Sequence, residues 1–93
     1  MWKIYEHYSL VRKLGKLPAE ILKRYEKWKD IVGISGPEGL MLIKGFHDES
    51  LKGQWKGFRS SRLGGQHRII YKIENNKLYV KVLDITPHEY RRK

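Results

Sequence analysis

Asn75-Asn76 separates two runs in which apolar side chains alternate, and this pair narrows the possible folds more than any other feature of the chain. Asparagine tolerates positive φ, which both central residues of a tight two-residue hairpin turn require. Glu74 then faces Lys77, and that contact fixes the pairing of every residue before it. One face collects Ile73 with Leu78, Tyr71 with Val80 and Ile69 with Val82, an apolar surface that ends in His67 opposite Asp84. The other face collects Glu74 with Lys77, Lys72 with Tyr79, Ile70 with Lys81 and Arg68 with Leu83, which puts Arg68 on an open polar face. Residues 55–62 are expected to form the neighbouring strand, and Gly64-Gly65 the corner towards His67, giving a three-stranded antiparallel meander.

An apolar sheet face needs a cover, and the first half of the chain has one. Trp2, Ile4 and Glu6 alternate with Lys3, Tyr5 and His7, the period of a short strand. Ser9 reads as the N-cap of a short helix carrying Leu10, Leu14 and Leu17, interrupted by Gly15 and Pro18. Pro18 suits the first turn of a second helix, where its missing N–H costs nothing; Ile21, Tyr25, Trp28 and Val32 then form a seam opposite Lys23, Lys27 and Asp30. The segment 33–39 is a glycine-rich loop without the lysine or spacing of a phosphate-binding loop. Leu40 to Lys44 reads as a strand and residues 45–50 as a polar loop. No repeat or linker divides the chain, so residues 1–93 are expected to form one α+β domain: an N-terminal strand and a helical hairpin packed on a twisted, mainly antiparallel sheet.

Twenty Lys and Arg oppose ten Asp and Glu, a formal charge of +10 that points to a polyanionic partner. The cations concentrate: Lys52, Lys56, Arg59, Arg62 and Arg68 follow one another with no carboxylate between them, interleaved with Trp55 and Phe58 and followed by Tyr71. Phosphates need cations and unstacked bases need flat partners, so the pattern favours nucleic acid over a merely solvated surface. The absence of cysteine excludes a disulfide framework and thiolate metal sites. No run is long and apolar enough to span a bilayer, and the first residues lack the apolar stretch of a signal peptide, so a cytoplasmic location and no membrane partner are expected.

Cleaving RNA without a metal takes a base for the 2′-OH, cations for the phosphorane and an acid for the leaving 5′-oxygen. His88 is a candidate acid or base and Glu49 a candidate base, and Arg68 with Lys52 or Lys56 is suited to hold phosphoryl oxygens. The plainer alternatives are that His88 is simply an exposed residue after Pro87, and that Glu49 is an idle carboxylate in a polar loop. His7, His47, His67 and His88 make no i, i+3 or i, i+4 pair, and only His47-Asp48 are adjacent donors, so neither a metal nor a small-molecule cofactor is expected. His67 reads as a structural partner of Asp84.

The stretch 51–63 (LKGQWKGFRSSRL), then 67–73 (HRIIYKI) and 86–90 (TPHEY), resembles the RelE superfamily of bacterial toxins, and most of all its YafQ- and YoeB-like members. The likeness covers residues 47–90 and extends to the first half only in architecture. It implies a RelE-like microbial RNase fold and a toxin of a toxin–antitoxin pair that cuts mRNA in the A site of the 70S ribosome. It also implies an acidic antitoxin as partner. By the same resemblance Arg68 is the phosphate-stabilising arginine and Glu49 takes the place of a general base. His88 and Tyr90 supply a terminal acid or base and a base-stacking ring, while Lys52, Lys56, Arg59 and Arg62 bind rRNA or the scissile phosphate. The C-terminus reads His-Glu-Tyr rather than His-Tyr, which leaves open whether His88 or Tyr90 reaches the reacting atoms. Two alternatives remain: a non-nuclease inhibitor of DNA gyrase, as in ParE-type toxins, and a non-catalytic RNA- or ribosome-binding module.

Overall fold

The computed structural model describes residues 2–83 of the 93-residue chain. Asn75 and Asn76 adopt φ of 49° and 64°, the left-handed pair that a two-residue hairpin tip demands. They join β4 (His67–Glu74) to β5 (Lys77–Leu83), and Glu74 faces Lys77, Ile73 faces Leu78, Lys72 faces Tyr79 and Tyr71 faces Val80, as expected. Beyond that point the register shifts, and Ile70 pairs with Val82 and Ile69 with Leu83. The expected pairs Ile69–Val82, Ile70–Lys81 and Arg68–Leu83 are therefore corrected by a β-bulge, which adds a residue to β5 and sharpens the local twist. No spacing signal announces such an insertion. Asp84, expected opposite His67, lies outside the described residues.

The sheet has five strands in the order β1-β5-β4-β3-β2. β1 (Lys3–Glu6) runs parallel to β5, while β2 (Glu49–Ser50), β3 (Arg59–Gly64) and β4 pair antiparallel. The sheet is thus mixed but mainly antiparallel, with a short edge strand where residues 45–50 read as loop.

Helix α1 (Tyr8–Leu14) begins two residues earlier than an N-cap at Ser9 would have it: His7 is the cap, and its Nδ1 accepts from the Ser9 backbone N–H at 3.2 Å. Helix α2 (Ala19–Ser35) is capped by Pro18 and buries the seam of Ile21, Tyr25, Trp28 and Val32 against the sheet. The Trp28 ring stacks on Tyr25 at 5.8 Å and meets the edge of Tyr71 on β4 at 5.5 Å, so the helix docks on the strand that also carries Arg68. No described helix is long and apolar enough to cross a membrane.

The expected strand over 40–44 is instead the end of a helix, α3 (Pro37–Met41), followed by a 3₁₀ turn, Lys44–Phe46. A short apolar run does not distinguish helix from strand, and here Pro37 opens a new helix directly after Gly36. Gly36 sits at φ 75°, and a Cβ there would lie 2.5 Å from Nε1 of Trp2, so both the backbone angle and the close approach of the ring require glycine. Leu40 and Phe46 are fully buried and tie the connection to the core.

Candidate functional site

Strand alternation sorts β3 and β4 into two faces. Leu63, Ile69 and Tyr71 join the core under α2, with Ser61 facing Ile69 and Arg59 facing Tyr71 across the strands. Ser60 and Arg62 point the other way, opposite Ile70 and Arg68 respectively. Arg62 and Arg68 are therefore direct cross-strand neighbours, two like charges at a spacing where the sheet pays in repulsion. β2 adds a third row: Glu49 pairs with Ser60, which puts it on the face that carries the two arginines. His47, Asp48, Glu49, Arg62 and Arg68 line one cleft of about 190 Å³.

The open polar face expected for Arg68 is corrected by its burial: only 3% of the residue is exposed, because both faces of β4 are covered from Arg68 to Tyr71. Arg68 meets solvent through the cleft rather than from a free surface. Arg62 is half-buried, and its Nε is enclosed with no hydrogen-bond partner among the described residues. A buried guanidinium N–H without an acceptor is costly, so Arg62 is held in the cleft at the expense of stability.

Behind Glu49 the chain is held by Asp48. The Asp48 side chain is fully buried and accepts from Arg59 Nε at 2.7 Å, from Ser61 Oγ at 2.5 Å and from Tyr71 OH at 2.6 Å. Burial and the neighbouring Asp48 charge together push the Tyr71 hydroxyl far above its ordinary value. Burial acts to lower the Arg59 pKa, but the hydrogen bond and charge of Asp48 outweigh it and hold that guanidinium above its usual value.

The cleft thus gathers Arg68, Arg62 and Glu49 from the residues singled out in the sequence. Arg59 is turned to the opposite face, where Asp48 engages it. Lys52, Trp55 and Lys56 lie in the loop between β2 and β3, which is closed by the Leu51 N–H to Phe58 carbonyl bond at 2.9 Å. Both lysines are exposed there, and Trp55 is half-buried with its ring at 5.4 Å from Phe58. His88 and Tyr90 lie outside the described residues. The sequence marks His47 and Asp48 only as an adjacent donor pair and not as site residues. The usable signal was alternation through 48–50, which sends Asp48 inward and Glu49 to the arginine face.

No family model matches the chain, and no curated protein matches it. Its solved structural neighbours include the toxins YafQ, YoeB and RelE. YafQ from E. coli strain BL21(DE3) superposes with a TM-score of 0.72 at 19% identity, covering 94% of each chain. The YoeB–YefM complex from Staphylococcus aureus gives 0.70 at 16%, over 91% of this chain and 97% of that one. The archaeal RelE–RelB complex from Pyrococcus horikoshii OT3 gives 0.69 at 24%, over 89% and 92%. The chain has the α+β fold of the YoeB, YafQ and RelE toxins across about nine-tenths of its length.

Proposed function

We propose that the protein is the toxin of a toxin–antitoxin pair, a ribosome-dependent endoribonuclease that stops translation by cutting mRNA without a metal. The observation that carries this reading is the cross-strand pair of Arg62 and Arg68 beside Glu49 in one cleft. Two adjacent guanidiniums make a receptor for a phosphodiester, and they act most strongly on the extra charge of the pentacoordinate transition state. Glu49 accepts the proton of the 2′-OH. His88 or Tyr90 donates to the leaving 5′-oxygen. Exposed Lys52 and Lys56, with Trp55 and Phe58, contact the mRNA and the ribosomal A site from the loop beside it. An acidic antitoxin would cover these cations in resting cells. The solved YoeB and RelE neighbours, crystallised with YefM and RelB, support such a partner.

The reading is tested in a reconstituted translation system by mapping mRNA ends after adding the protein. Cuts bearing a 2′,3′-cyclic phosphate, abolished by a 2′-deoxy nucleotide at the cut position, are expected. Intact mRNA in arrested translation would overturn the nuclease, and loss of gyrase supercoiling activity instead would establish the ParE-type alternative.

A further inference from the structure

β2 consists of two residues and pairs with β3 at only two positions, Glu49 with Ser60 and Ser50 with Arg59. A backbone hydrogen bond contributes about 0.5–1.5 kcal/mol net, while ordering a residue costs roughly 1–2 kcal/mol, so a strand this short does not hold its own register. Something else must fix it, because a slip of one residue would send Glu49 to the helix side of the sheet. Across residues 47–50 the fully buried side chain is that of Asp48, fastened by donors from two strands: Arg59 and Ser61 on β3, and Tyr71 on β4. His47, just before it, takes the left-handed conformation at φ 44°, an angle that costs a non-glycine residue energy. A buried carboxylate tolerates little displacement from its donors, so the three bonds act as a clamp on the backbone that carries Glu49.

We propose that Asp48 is a positioning residue: its clamped carboxylate sets the register of β2 and so holds Glu49 against Arg62 and Arg68. The proposal rests on Glu49 being the base, and its structural half is tested independently of that reading. Asp48→Asn keeps the shape and removes the charge, and Ser61→Ala removes one donor if Asp48→Asn proves too unstable to study. In the folded variant, amide hydrogen exchange at residues 49–51 should speed up at least about tenfold while the amides of α2 change little. Unchanged exchange at 49–51 overturns the proposal, whatever the activity.

In single-turnover mRNA cleavage on saturating ribosomes, the same variant should lose about 10- to 100-fold in rate with little change in half-saturation, the signature of a misplaced group. In a Glu49→Gln background Asp48→Asn should cost almost nothing further, because its effect passes through Glu49. Equal losses in both backgrounds would mean that Asp48 acts by another route and would refute the positioning role. Full activity of Glu49→Gln alone would instead remove Glu49 as base and leave the exchange result to decide what Asp48 does.

Discussion

Arg62 and Arg68 face each other across two strands, and that placement works against folding while favouring an anion. Arg62→Met keeps much of the side-chain packing and relieves the repulsion. It is expected to leave stability unchanged or raise it by up to about 1 kcal/mol, read from urea unfolding, while cleavage falls by on the order of 10²-fold. A variant that is both less stable and fully active would mean that the pair serves the fold and not the ligand. Tyr71 poses the opposite case, since its hydroxyl donates to the buried Asp48. Tyr71→Phe should destabilise by about 1–3 kcal/mol, the cost of withdrawing a donor from a buried charged acceptor. Its pH dependence has a definite sign. The folded pKa of Tyr71 lies above the value near 10 of an unfolded tyrosine, so its contribution is intact below pH about 10 and is lost as the pH rises further. Measured between pH 10 and 11, wild-type stability should therefore fall more steeply than that of Tyr71→Phe, by up to about 1.4 kcal/mol per pH unit; equal slopes would contradict the burial argument. Arg68 could be picked from the sequence because a strand period brackets it. Asp48 had only the alternation through 48–50 to mark it, three residues long, and the partners that give it a role lie 11, 13 and 23 residues away.

The elements divide by how local their causes are. The β4–β5 hairpin and the seam of α2 were legible because an asparagine pair and a helical repeat act over a few residues. The bulge in β5 and the helix α3 were not, since one answers to the twist of the whole sheet and the other to a proline start that an apolar run conceals. The breaking point between α2 and α3 gives a direct check. Gly36→Ala must hold alanine at φ 75° and displace the Trp2 ring as well, and a loss of roughly 1–3 kcal/mol is expected in thermal or urea unfolding. An unaffected midpoint would mean that the Trp2 contact is not formed in solution.

At the scale of the whole molecule, a charge of +10 on 93 residues favours binding a polyanion and opposes compaction. Ribosome binding should weaken steeply with salt. The double variant Lys52→Ala/Lys56→Ala should flatten the log–log slope by about one to two and leave single-turnover cleavage at saturation close to wild type. A slope unchanged by the loss of both lysines would place the nucleic-acid contact elsewhere. The composition favours an anionic partner but does not say where one would sit. The cleft exists because β2, β3 and β4 bring Glu49, Arg62 and Arg68 into adjacent rows, a consequence of pairing that composition does not contain.

The most direct test of that cleft is single-turnover mRNA cleavage on saturating ribosomes by Arg68→Ala, with its melting temperature recorded alongside. The cleft described here predicts a loss on the order of 10²–10³-fold in rate with the fold retained, because the guanidinium acts on charge that develops in the transition state. A folded Arg68→Ala protein that cuts at the wild-type rate would contradict it.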